Sequence, residues 1–221
     1  DAAGIAELAA AGKGLSRPEL AVLLAYGKLE LKRDIVATDA PDDHYFEGLL
    51  EGYFPKALRK YDEPMRRHRL RRDIVATVVA NDAINRCGPS FPSRLIAAAG
   101  CDAVAFTAGY EAAKSVLDIP ALWNAVAALD GKVPAAGQMA LFRRLSAALR
   151  GAAFWLARGA ARERLDVNGL IHRYGPGFKA LTRLMPEILS PSEQAQVAAR
   201  STQLAEAGAT EARVRAAAVL Q

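Results

Sequence analysis

The densest chemistry in this sequence lies between positions 66 and 72, where Arg66, Arg67, Arg69, Arg71 and Arg72 crowd around His68. Guanidinium forks bind carboxylates and phosphates, often through two parallel hydrogen bonds. Five of them in seven residues therefore call for an anionic partner. A few residues later come Asn81 and Asn85. The segment Pro64–Phe91 reads as one long helix ended by Gly88-Pro89, and at 100° per residue Leu70, Ile74, Thr77, Asn81 and Ile84 share a face. Asn81 thereby falls inside an apolar stripe, and it reads with Asn85 as a buried polar anchor. Positive charge at a helix N-terminus opposes the macrodipole by some tenths of a kcal/mol per charge. A buried amide without partners costs about 1–3 kcal/mol. Groups outside this helix must offset both.

Other chemistry-bearing residues are dispersed. His44, His68 and His172 are far apart, without the i, i+4 spacing of a metal site. Gly12-Lys13-Gly14 lacks the spacing and hydroxyl residue of a phosphate loop. Gly175-Pro176-Gly177 reads as a helix-breaking turn, with no strand before it to make a dinucleotide fingerprint. Glu51 with Asp62, and Asp39 with Asp42 and Asp43, are explained as caps and solvated faces. No nucleophile elbow occurs. Cys87 and Cys101 have no nearby metal partner and read as two reduced thiols. The expectation is no catalytic, cofactor-binding or metal-binding residue in this chain.

The elements that must position these groups are helical. Apolar residues make up 52% of the 221 positions and aromatics only 7%, a mix suited to close helix packing. Ser16-Arg17-Pro18-Glu19 is a capping box that starts a helix running to about Thr38. Short helices follow near His44–Tyr53 and from Pro55 to about Tyr61, then the arginine-led helix. Further helices are expected at Phe91–Gly100, Ala103–Leu117 (capped by Asp102), Ala121–Leu129 (capped by Asp118) and Pro134–Ala157. Asp166 caps a short one ending at Tyr174, Pro176 starts another reaching Leu189, Ser190-Pro191-Ser192-Glu193 opens the next, and Thr210 caps the last. The fold class is all-α, an irregular bundle of about ten helices with no sheet. Lys32–Thr38 nearly repeats at Arg71–Thr77, but no third copy makes an array. Residues 1–15 read as a linker or loose helix, 16–189 as the helical domain and 190–221 as an extension packed on it. No run of apolar residues is long enough to span a membrane. The reading is a soluble, cytoplasmic protein, and a chain beginning at Asp1 reads as a piece of a longer polypeptide.

The net charge is +5 and the pI about 9.4, which permits an acidic partner without demanding one. Three roles for the arginine cluster follow. It could be a solvated helix entry paired with Glu63 and Asp73. It could lie on nucleic-acid phosphates, although the remaining basic residues alternate with acids and no recognition helix follows. Or it could be an interface with another domain or subunit.

Further along, residues carry a resemblance. His68–Thr77 (HRLRRDIVAT), with Ala80-Asn81-Asp82, Asn85-Arg86 and Gly88-Pro89-Ser90-Phe91, resembles a signature near the C-terminus of the large bacterial NAD-specific glutamate dehydrogenases. Gly14–Tyr26 resembles their GLTRPELAVLLAY segment, Tyr53-Phe54-Pro55 their YFP element, and Leu129–Ala136 their LDNKVPA segment with Gly131 in place of Asn. The likeness covers roughly Gly14 to Leu189. It implies a full-length enzyme that oxidises L-glutamate to 2-oxoglutarate and ammonia with NAD. The catalytic and nucleotide-binding motifs of such enzymes lie upstream, so no catalytic residue carries over. The resemblance implies a C-terminal helical domain, inactive alone; the dipole-opposed arginine cluster adds the expectation that it packs on the upstream catalytic core or on neighbouring subunits through Arg66–Arg72.

Overall fold

A computed structural model describes residues 14–206 and, before them, residues 4, 7, 8 and 10–12. Among these, ten α-helices and no strand occur. They are α1 Arg17–Val36, α2 Glu47–Tyr53, α3 Asp62–Arg66, α4 Arg71–Cys87, α5 Phe91–Ala99, α6 Ala103–Val116, α7 Ile119–Ala127, α8 Ala135–Glu163, α9 Val167–Ile188 and α10 Pro191–Glu206. Single 3-10 turns lie at Ala40–Asp42, His44–Phe46 and Lys56–Leu58. The all-α expectation is met. The helix expected behind Thr210 lies outside the described residues. The chain divides into two compact units, Asp1–Thr107 and Ala108–Gln221, with the division inside α6.

In the first unit, α1 packs along α4. The Glu19 carboxylate starts α1 by accepting the Ser16 N–H at 2.6 Å and the Ser16 hydroxyl at 2.7 Å. These bonds hold its pKa below the usual carboxylate range. Leu31 and Ile35 are buried on α1, and Val75, Ala76, Val79, Ala80, Ala83 and Cys87 on α4. Gly27 lets α1 settle against Ile84 and Pro89, both within ordinary contact of where a Cβ would stand. Phe46, Leu50 and Met65 close one end of this core, and Phe91 meets Phe106 at 5.9 Å between ring centres. The two copies of the repeated heptapeptide lie on these two helices. Lys32 of the first binds Asp73 of the second at 2.8 Å.

In the second unit, α6 and α8 cross almost backbone to backbone. A Cβ on Gly109 would stand 2.4 Å from the Ala157 nitrogen, closer than real contacts allow. Leu145, Leu149, Leu156 and Ala160 of α8, with Tyr110 and Ala113 of α6 and Leu170 of α9, form the core. Within it Glu111, 2% exposed, holds Lys114 at 2.9 Å from both carboxylate oxygens. Burying such a pair demands that both members stay.

Two expected boundaries are corrected. The arginine-led segment is two helices, not one: α3 ends at Arg66 and α4 begins at Arg71. Between them the chain makes i to i+3 turns, His68 N–H to Met65 and Arg71 N–H to His68. The Leu70 N–H goes to the His68 ring nitrogen Nδ1 at 3.2 Å, whereas a continuous helix would send it to the Arg66 carbonyl. Conversely, Gly175-Pro176-Gly177 does not break α9. Leu170, Tyr174 and Phe178 keep one helical stripe through the proline, and the tertiary contacts of that stripe outweigh one missing backbone bond. Gly175 itself is buried, within 3.8 Å of Val116 at a notional Cβ.

Candidate docking surface

The five arginines divide by position along the break. Arg71 and Arg72, in the first turn of α4, both bind the Asp42 carboxylate. Arg72 also donates to the Val36 carbonyl at 2.9 Å and the Thr38 carbonyl at 2.6 Å. Those carbonyls end α1, where cations are favoured by the helix dipole and orphan acceptors need donors. The unfavourable placement of Arg72 on α4 is thus offset by the negative end of α1 and by one carboxylate from the intervening turn. All three side chains remain about one-third exposed.

The outer arginines sit differently. Arg66 reaches Glu47 at 2.9 Å and Glu51 at 3.6 Å. Arg67 reaches Glu63 at 2.6 Å. Glu47 also accepts from His44 at 2.9 Å, which raises the His44 pKa above its ordinary value and lowers that of Glu47. Arg69 is exposed and forms no ion pair among the described residues. The solvated-entry reading is right about Glu63. Asp73, however, pairs with Lys32 across the helix crossing rather than with an arginine.

The asparagines are corrected. Asn85 is exposed and Asn81 only half-buried, and neither side chain makes a hydrogen bond among the described residues. The stripe is buried only in part: Ile74 and Ile84 lie in the core, while Thr77 and Asn81 are half-buried. Leu70 itself is 52% exposed. The deepest positions are Val75, Ala76, Val79, Ala80 and Ala83, each 1% exposed or less. The polar pair α4 does keep close to the core is Asp82 with Arg86, at 2.7 Å and about one-fifth exposed. Its i, i+4 spacing was a signal available in sequence.

N-terminal to Arg71 lies a feature the sequence pattern hid. Between Tyr53 and Leu70 the chain folds back on itself, with the Phe54 ring 5.5 Å from the His68 ring. This ribbon exposes Tyr53 (56%), Leu58 (43%), Tyr61 (51%) and Leu70. Lys56, Arg59 and Lys60 are exposed beside them, and Lys60 lies over the Tyr61 ring at 5.0 Å. None of these three, nor Arg69, has a carboxylate partner among the described residues.

Elsewhere, Cys87 is buried, Cys101 is half-buried, and both are unbridged. Burial pushes the Cys101 thiol pKa up. Among the described residues no three His, Cys, Asp or Glu side chains could share a metal ion, and no helix is long and apolar enough to cross a membrane. A shallow cleft of about 140 Å³ on α8 and α9 is lined by Trp155, Arg158, Gly159, Arg162 and Tyr174. The Tyr174 hydroxyl donates to Glu163, which raises its pKa.

Comparison with known proteins gives a consistent result. A family model described as glutamate dehydrogenase, C-terminal, matches residues 12–221. The NAD-specific glutamate dehydrogenase of Halomonas elongata is 36% identical over 201 residues, covering 90% of this chain and 12% of that protein. Its counterpart in Pseudomonas aeruginosa is 35% identical over 208 residues, covering 94% and 13%. That of Mycobacterium tuberculosis is 33% identical over 209 residues, covering 94% and 13%. The chain spans about an eighth of the length of these curated relatives.

Proposed function

The chain belongs to the family of glutamate dehydrogenase C-terminal regions, and from that premise we propose that it is a non-catalytic helical domain of an NAD-dependent glutamate dehydrogenase. In this reading the rest of the polypeptide binds NAD and oxidises L-glutamate to 2-oxoglutarate and ammonia in the cytoplasm. The present residues bind no cofactor and dock on that catalytic core or on a neighbouring subunit, supporting assembly or restraining closure. Residues 1–15 lead in from the core, 16–189 form the domain, and 190–221 extend it. The observation that carries the reading is the asymmetry of coverage: nearly all of this chain matches a small part of long dehydrogenases. The described side chains fit a supporting role, since ion pairs such as Lys32–Asp73 and Arg66–Glu47 join helices.

The test compares the isolated chain with the intact polypeptide. The chain alone should show neither NAD binding by calorimetry nor glutamate-dependent NAD reduction. Removing it from the intact polypeptide should alter oligomeric state or kinetics. Turnover by the isolated chain, or unchanged assembly and kinetics after its removal, would defeat the proposal.

A further inference from the structure

The sequence pointed to all five arginines as the contact surface, but Arg71 and Arg72 are already occupied by Asp42 and the end of α1. Resting on the docking reading above, we infer that the contact face is instead the 53–70 ribbon, and that its partner is an acidic, apolar-studded protein surface outside these 221 residues.

Three observations carry this. Four large apolar side chains, Tyr53, Leu58, Tyr61 and Leu70, stand between 43% and 56% exposed within eighteen residues. A folded surface concentrates such groups where another surface covers them. The ribbon also holds six basic residues against two acidic ones, Asp62 and Glu63, so its excess is most of the whole chain's +5. Glu63 is spent on Arg67, while Lys56, Arg59, Lys60 and Arg69 have no carboxylate among the described residues. Finally, the Phe54–His68 contact closes the ribbon and brings the neighbourhoods of Tyr53 and Leu70 together. The four side chains therefore belong to a folded surface rather than to an extended tail.

The same observations choose the occupant. A second copy presenting this face would set like charge against like, which disfavours a symmetric contact. Single-stranded nucleic acid could stack on Tyr53 and Tyr61, but Leu58 and Leu70 offer it nothing equivalent. Carboxylates set among apolar side chains satisfy both halves of the ribbon. Exposed tyrosines with cations beside them, as Lys60 lies over Tyr61, suit such a protein interface.

Zero-length carbodiimide coupling tests this directly, because it joins a lysine amine to a carboxylate only in direct contact. The intact polypeptide, at its natural length, is coupled and its linked peptides are read by mass spectrometry. Lys179, exposed on α9, is the reference. The expected result is that Lys56 and Lys60 link to Asp or Glu outside these 221 residues several-fold more often than Lys179 does. The paired change Arg59→Glu with Lys60→Glu should abolish the remaining Lys56 links. Leu58→Ser with Tyr61→Ser, which leaves the charges alone, should reduce the links at both lysines several-fold. Links outward from other lysines only would overturn the ribbon as the contact face yet leave the docking reading standing. No outward link from any lysine would overturn both. Salt-sensitive retention on single-stranded DNA or RNA without lysine–carboxylate links would replace the protein partner by nucleic acid.

Discussion

Arg72 and Arg69 are three residues apart and carry the same group, yet their environments are opposite. Arg72 is bound by a carboxylate and two backbone carbonyls of its own unit, and it joins α4 to the end of α1. Arg69 stands on an exposed ribbon beside Leu70 with no such partner among the described residues. What separates them is where the helix restarts. Residues from 71 onward are carried on α4, which packs along α1 and so faces its C-terminal carbonyls. Residues before 71 lie on α3 and a turn, held by Met65, the Arg66–Glu47 pair and the Phe54–His68 contact. An arginine inside the packed region becomes part of the fold, and one outside it stays available for a partner.

The largest effect that would sharpen this contrast is on folding. Arg72→Ala removes the bonds to Asp42, Val36 and Thr38, and should lower unfolding free energy by about 2 kcal/mol, after allowance for partial exposure. Arg69→Ala should change it by less than about 0.5 kcal/mol. Denaturant titration of both variants decides; equal effects would erase the distinction. Next comes Asp42→Ala, which strands two guanidinium groups and should cost about 1–2 kcal/mol. Combined with Arg72→Ala it should be clearly less than additive, because the two residues share one interaction. Third, Leu58→Ser with Tyr61→Ser should leave the stability of the isolated chain within about 0.5 kcal/mol. A large loss would show that these side chains support the fold rather than a partner.

The smallest effect concerns the exposed pair His44–Glu47. Its hydrogen bond raises the His44 pKa above 6.5 and lowers that of Glu47 below 4.5. A raised histidine pKa stabilises the fold when the ring is protonated, and that contribution fades as pH rises through the folded value. A lowered carboxylate pKa stabilises above its unfolded value and fades as pH falls through the folded one. The pair thus contributes most between about pH 4.5 and 6.5, and little elsewhere. Glu47→Gln should lower the His44 midpoint in an NMR titration; an unmoved midpoint would remove the pair from the account.

The helical fold was readable because its signals are local. The Ser16–Glu19 box, the Asp102 side chain that accepts the Ala105 N–H at 2.9 Å, and the Asp166 side chain that accepts the Gly169 N–H at 2.7 Å lie within three residues of what they cap. The break after Arg66 was not readable, since the intercepting group is a histidine ring whose place depends on Phe54. Continuity through Pro176 was hidden too, because proline is a local signal and the packing of Tyr174 and Phe178 is not. The candidate surface was found only in part. Arginine density marked its C-terminal portion, while nothing local to Tyr53, Leu58 or Tyr61 marks them as exposed.

The sequence by itself determined the helical class, most caps and the family, since periodicity, capping chemistry and ordered motifs reside in neighbouring residues. Only the tertiary structure decided which face of α4 is inside, which arginines are already bound, and which tyrosines and leucines face water. Two apolar stripes can be drawn on α4, and composition does not rank them. Packing ranks them: Ala76, Ala80 and Ala83 are fully buried, whereas Leu70 faces water and Asn81 is half-buried. That choice of face fixes the reach of every charged side chain at the end of the helix.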